Sequence, residues 1–212
     1  KKDNFDSRRL AEEAHYIETE ILQHPSGPQD QFIAAYGGIR LLDISKDGNI
    51  NVSRLSLSQT ALNNLENNLN MFFTGIKRDS QYVLKEQYEQ AKTSASIVTG
   101  CLLEIMELGK KIKMDIENNN AENFGKLMNE HWLIKKKMSG KISNKWIDKC
   151  YDRIMELGAD GGKIVGAGGG GFLIVYASKN QTAIKEYLKN EGFVEVEFKF
   201  EFEGSKIIGN YF

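Results

Sequence analysis

Eight of the chain's 20 glycines crowd into GADGGKIVGAGGGG at residues 158–171, against two prolines in all 212 residues. Without Cβ atoms, four glycines in succession let another backbone, or a ligand phosphate, approach closely. The alternative is a flexible hairpin tip. Four glycines lose much conformational freedom on ordering, so a tip with no other use is poorly served by them. Gly166, Gly168 and Gly171 satisfy G-x-G-x-x-G. A dinucleotide-binding loop needs a helix directly after the glycines, with its N-terminus against the pyrophosphate. Here FLIVYA follows, rich in β-formers, and no Lys-Ser/Thr pair closes a Walker-type phosphate loop. The run reads as strand, glycine loop, strand.

Upstream the patterning is mostly helical. Leu10, Ala14, Ile17 and Ile21 recur at helical spacing over residues 7–22, with Ser7 as the N-cap. HPSGP at 24–28 holds both prolines and ends that helix. IRLLDIS and INVSRL flank KDGN, which predicts a hairpin turning on Asp47-Gly48. A helix near 58–69 leads to the strand MFFTGI, and residues 79–117 read as mostly helical, bent or divided at Gly100 and Gly109. Helices follow near 121–138 and 143–157, the latter capped by Ser143, then one near 180–190 after the glycine run. In FVEVEFKFEFEG, Val194, Val196, Phe198, Phe200 and Phe202 alternate with charge, which predicts a strand buried on one face. Helices, two strands, a helix and a strand make the class α+β.

Composition excludes several functions. Lys and Arg total 28 against 29 Asp and Glu, a net charge of −1, so no global footprint for nucleic acid is expected. No apolar run approaches the ~18 residues of a membrane span. Cys101 and Cys150 have no C-x-x-C spacing, and both read as buried structural thiols in a reducing compartment.

Asp30 lies in GPQDQ, just past the proline turn. An aspartate held there can orient or deprotonate a hydroxyl, with Gln29 and Gln31 serving a polyhydroxylated ligand. It can equally bond only its own turn. Local chemistry leaves both open.

The order G-x-Q-D-Q, long helices, then K-x-x-GAGGGG and an apolar strand resembles the GHMP small-molecule kinases, which include galactokinase, homoserine kinase and mevalonate kinase. AEEAHYIETEIL, GPQDQFIAAYGG, FFTGIKRDS and MNEHWLIKKKMSGKIS extend the likeness across nearly the whole chain. The FFTG…R and NEHW…K segments are similar to the branch acting on D-glycero-D-manno-heptose 7-phosphate.

The resemblance implies a two-lobe architecture. Residues 1–70 would be the remainder of an incomplete N-terminal lobe, and 71–212 a ferredoxin-like C-terminal lobe. It implies an ATP- and Mg²⁺-dependent sugar kinase, cytoplasmic, with sugar phosphate and ATP as partners and a homodimer as an assembly to consider. Asp30 would be catalytic. Gln29, Gln31, Tyr36, Gly37 and Arg78 would bind substrate. Lys163, Gly166, Ala167, Gly168, Gly169, Gly170 and Gly171 would serve ATP. Glu18 would hold the metal, with Glu20 in competition. Lys135–Lys137 are either a second candidate for the sugar's phosphate or a solvated face, and His131 and Trp132 read as packing residues. The family's GLGSS-type loop is expected upstream of Lys1. Other sugars, such as galactose or fucose, and a catalytically silent sugar sensor of the same fold are the competing readings.

Overall fold

The computed structural model describes residues 6–24, 26–77, 95–206 and 208–209, which form two compact units. One holds the chain up to Ser56 together with the residues from Lys199 on, and the other spans Leu57–Phe198.

In the first unit α1 (Ser7–Tyr16) is capped by Asp6, whose carboxylate accepts from Arg8 N–H at 3.0 Å. Ser7 is therefore the first helical residue and not the cap. The helix does not continue regularly to residue 22. It widens into a π-helix over Ile17–Ile21, where Leu22 N–H donates to Ile17 O. Gln23, at φ +55°, then turns the chain in the left-handed region. The wider turn breaks the 100° phase on which the apolar stripe rests, and Ile17 and Ile21 stand 48% and 61% exposed.

The QDQ segment, where a turn around Asp30 was expected, instead opens helix α2 (Gln29–Tyr36). It ends at Gly37 (φ +60°), where Arg40 donates to the carbonyls of Gly37 (2.6 Å) and Tyr36 (2.9 Å). Strands β1 (Arg40–Ile44) and β2 (Ile50–Arg54) pair antiparallel around the expected Asp47-Gly48 turn, with Ile44 opposite Ile50. Ala11, Phe32 and Ala35 form the small core beneath. The C-terminal segment straps this unit: Gly38 N–H donates to Glu201 O and Ser205 N–H to Ala34 O.

The second unit begins with α3 (Gln59–Asn68), whose Ser58 cap accepts from Ala61 N–H, and runs directly into β3 (Leu69–Phe73). Then come α4 (Ala95–Glu117), α5 (Phe124–Lys136), α6 (Lys145–Glu156), β4 (Gly161–Ile164), β5 (Phe172–Tyr176), α7 (Gln181–Asn190) and β6 (Val194–Val196). Gly100 and Gly109 sit inside the unbroken α4 and do not divide it. Asn144, not Ser143, caps α6, accepting from Trp146 and Ile147 N–H. The sheet order is β4-β5-β3-β6 with every neighbour antiparallel. Each split β-α-β crossover leaves one slot that a third strand fills, the ferredoxin-like arrangement expected of the C-terminal lobe. Trp132, Ile142, Tyr151, Ile164 and Leu173 lie at the centre of its core.

One expectation fails here. β6 stops at Val196 although the apolar alternation runs to Phe202. Its partner β3 pairs Met71 with Val196 and extends only two residues further, to the end of α3, so this ladder cannot reach Phe202. The chain then joins the first unit, and the two contact units part at Leu57 and Lys199.

Candidate active site

Asp30 stands exposed in the first turn of α2, where backbone N–H groups and the helix dipole favour a carboxylate. Next to it, Gln31 donates its side-chain N–H to Glu18 Oε2. The π-helix turns Glu18 toward α2, half-buried. Glu20 is exposed and lines a different cleft, with Arg8, Glu12 and Asn49. Glu18 and the QDQ segment are thus brought together, and Glu20 is left outside. Gln31 Oε1 is buried without a hydrogen-bond partner among the described residues, an acceptor open to a ligand hydroxyl. Gln29 is exposed beside Asp30.

Tyr36 and Gly37 are engaged structurally. Tyr36 stacks on Phe32 and lies 5.6 Å from the Arg40 guanidinium. Gly37 is buried, and a Cβ there would run into the backbone of Gly204. Arg78 lies outside the described residues.

In the second unit the glycine run is held by two loops. Gly169 N–H donates to Ile142 O at 2.5 Å, Gly171 N–H to Ile76 O at 3.1 Å, and Thr74 N–H to Gly171 O at 2.9 Å. A Cβ on Gly168 would lie 2.7 Å from Ile142 O, and one on Gly170 2.9 Å from Ile76 Cγ2. Gly166 and Gly171 differ: a Cβ on either meets nothing within 4 Å, and Gly166 is exposed. The close approach expected of these glycines is therefore made by backbone at 168–170. The open backbone lies at the ends of the run, with Ala167 half-buried beside Gly166.

Lys163, two residues before that open end, has no hydrogen-bond or ion-pair partner among the described residues. Burial, and after it the charge of Lys135, lowers its pKa to about 8. Burial, then Lys163 and Lys135, lowers His131 to about 4. The three consecutive lysines at the end of α5, Lys137 being its C-cap, do not form one solvated face, because successive helical residues diverge by about 100°. Lys135 donates to Gly166 O, Lys136 pairs with Asp148 at 3.0 Å, and only Lys137 is exposed. Trp132 is fully buried, as expected of a packing residue, whereas half-buried His131 lies within reach of the charges of Lys163 and Lys135. Spacing held part of this grouping: His131 and Lys135 are four apart on one helix face.

Among the described residues no three His, Cys, Asp or Glu side chains cluster as a metal cage. Glu18, with Oε1 unpartnered among them, nevertheless fits Mg²⁺, which keeps waters and binds through one or two carboxylates plus substrate phosphates. The open backbone at Gly166 and the unpaired Lys163 fit a polyphosphate. No described helix is long and apolar enough to cross a membrane.

The chain is 27% identical over 199 residues to the D-glycero-alpha-D-manno-heptose 7-phosphate kinase of Campylobacter jejuni, covering 93% of this chain and 58% of that protein. Among solved structures, the mevalonate kinase of L. major superposes with a TM-score of 0.65 at 17% identity, over 85% of this chain and 53% of its own. The D-glycero-D-manno-heptose 1-phosphate kinase of Bacteriodes thetaiotaomicron gives 0.60 at 20% identity, over 96% of this chain and 56% of its own. The chain thus spans between half and three-fifths of each of these proteins. Residues 113–194 match the family "GHMP kinases C terminal". That segment runs from the end of α4 through β6 and contains the whole glycine loop, so this part of the chain is a GHMP kinase C-terminal domain.

Proposed function

We propose that this chain is part of an ATP-dependent sugar kinase that phosphorylates the anomeric hydroxyl of D-glycero-D-manno-heptose 7-phosphate. The observation that carries this is the likeness to the Campylobacter heptose 7-phosphate kinase along 93% of the chain, with Asp30 and the glycine loop both present. In this reading Asp30 accepts a hydrogen bond from the anomeric hydroxyl and takes its proton as the oxygen attacks the γ-phosphorus. A new O–P bond forms, the β,γ-bridging bond breaks, and ADP leaves. Bound Mg²⁺ would shield the charge on the transferring phosphoryl group. Glu18 is the residue that would hold it, oriented by the Gln31 amide. Gln29 and the open Gln31 Oε1 would bind sugar hydroxyls. Tyr36 and Gly37 would shape that end of the site through the backbone they anchor. Arg78 would grip the 7-phosphate in the bidentate manner of a guanidinium. Lys163 and the open backbone at Gly166–Gly171 would serve ATP, and the setting would be cytoplasmic.

The test is turnover by the full gene product with ATP and heptose 7-phosphate, with galactose and L-fucose as competing acceptors. Asp30→Asn should cut kcat by ~10²-fold or more while leaving the circular dichroism spectrum unchanged. Undiminished turnover in that variant removes Asp30 from the mechanism. Saturable sugar binding with no ATP consumption favours a silent sensor.

A further inference from the structure

Helix α1 keeps its regular bonding as far as Ile17, whose N–H donates to Ala14 O and Glu13 O. One turn later the register changes. Leu22 N–H, which a regular helix would give to Glu18 O, donates to Ile17 O at 2.9 Å. Glu18 O accepts instead from His24 N–H at 3.0 Å, beyond the left-handed Gln23. Leu22 N–H finds a carbonyl in either register, so the wide one, rare in proteins, needs something that favours it here. Thr19 offers a donor at that point: its hydroxyl donates to His15 O at 2.9 Å, one turn back at the entry to the wide segment. A side-chain donor inserted into the carbonyl ladder in this way bends and opens a helix. Half-buried Thr19 lines the cleft that holds Arg8, Glu12 and Glu20, so its effect on Glu18 runs through the backbone they share.

We propose that Thr19 is a positioning residue: its bond to His15 O holds the turn wide, and the wide turn aims the Glu18 carboxylate at Gln31 and at the cation it would carry. Gln31 donates to Glu18 Oε2, which leaves Oε1, unpartnered among the described residues, for that cation. Without the hydroxyl the turn relaxes toward the regular register, Leu22 N–H returns to Glu18 O, and Glu18 rotates off Gln31. Only the Oγ of Thr19 matters in this role. Valine keeps the shape and the β-branching but has no donor, and serine keeps the donor without the methyl group. The placement of Glu18 stands on its own, while its use for a cation rests on the kinase reading above.

The full gene product, isotope-labelled in its glutamine side chains, reports the turn through the NMR signal of the Gln31 amide, assigned by its loss in Gln31→Ala. In Thr19→Val that signal should move in the direction it takes in Glu18→Ala, and in Thr19→Ser it should stay at the parent's position. An unmoved signal in Thr19→Val, or an equal displacement in Thr19→Ser, overturns the positioning role. Binding of Mn²⁺ in the presence of ADP, followed by electron paramagnetic resonance, reads the consequence without turnover. Its dissociation constant should rise about three- to tenfold in Thr19→Val, in line with the loss of one hydrogen bond, and return to the parent's value in Thr19→Ser. A moved Gln31 signal with unaltered Mn²⁺ affinity upholds the positioning and overturns Glu18 as the metal holder, so the two readings fail separately. If Thr19→Val does not fold, Thr19→Ala makes the same comparison.

Discussion

Replacing Gly168 by Ala should destabilise the second unit far more than replacing Gly166, although both belong to the same glycine run. Gly168 has φ +100°, a conformation that an L-residue adopts only under strain, which costs ~1–3 kcal/mol. Its added Cβ would lie 2.7 Å from Ile142 O and 3.0 Å from Ile142 Cα, backbone atoms that cannot rotate away. Ile142 is itself fully buried, so yielding means shifting the core, about another 1–3 kcal/mol. The sum is roughly 4 kcal/mol. Gly166, at φ +71°, pays only the left-handed penalty of ~1–2 kcal/mol, because its Cβ would meet nothing within 4 Å.

Urea unfolding followed by tryptophan fluorescence measures the difference. Both tryptophans, Trp132 and Trp146, lie in the second unit and report it selectively. With unchanged slopes, the free energies compare directly. In thermal terms the two variants should lose about 8–16 °C and 2–8 °C. If Gly168→Ala were no less stable than Gly166→Ala, close backbone packing could not be what the central glycines serve. The case for confining ligand contact to the ends of the run would fall with it.

Gly204→Ala should loosen the C-terminal strap, since its Cβ would lie 2.5 Å from Ala35 O and 2.7 Å from Gly37 N. Hydrogen exchange at the Gly38 and Ser205 amides should speed up, and unaltered protection at both would show that the strap tolerates the methyl group. Stability of the second unit should also rise with pH across the window from about 8 to 10.5. The native state holds Lys163 below its usual value, so in that window the unfolded chain binds more protons and raising the pH favours folding. Lys163→Met should flatten this slope in urea midpoints; an unchanged slope would mean that Lys163 is not the titrating group.

The elements that sequence located well are those whose local chemistry and tertiary partners agree. Asp47-Gly48 between alternating strands makes its hairpin, Ser58 caps its helix, and the strand–glycine–strand run closes its antiparallel pair. Misses came where a distant partner decided the outcome. The alternation through Phe202 satisfies a strand's pattern, but a strand exists only as far as β3 offers hydrogen bonds. Helical phase carried Ile17 and Ile21 onto a buried stripe, and the π-helix moved them into solvent and turned Glu18 toward Gln31. Which of Glu18 and Glu20 faces Gln31 was therefore not legible, since it rests on one widened turn. Lys135, Lys136 and Lys137 looked equivalent because nothing local distinguishes them. Only packing sends the first to Gly166 and the second to Asp148.

The glycine run and its lysine together separate structural need from chemical use. Where the run is most constrained, at 168–170, each missing Cβ is accounted for by Ile142, Ile76 or a backbone hydrogen bond, and no ligand need be invoked. Core packing gives no comparable reason for Lys163. A methionine fills much the same volume on that face without a charge to desolvate, so folding alone would favour the replacement. Such a cost is retained where it is offset by a partner that arrives later. The open backbone at Gly166, immediately downstream and already touched by Lys135, is where an anion would meet that cost. If Lys163 serves ATP, Lys163→Met should be at least as stable as the parent chain without nucleotide and should lose the stabilisation that ADP gives the parent. A merely structural lysine would produce the opposite pair of results.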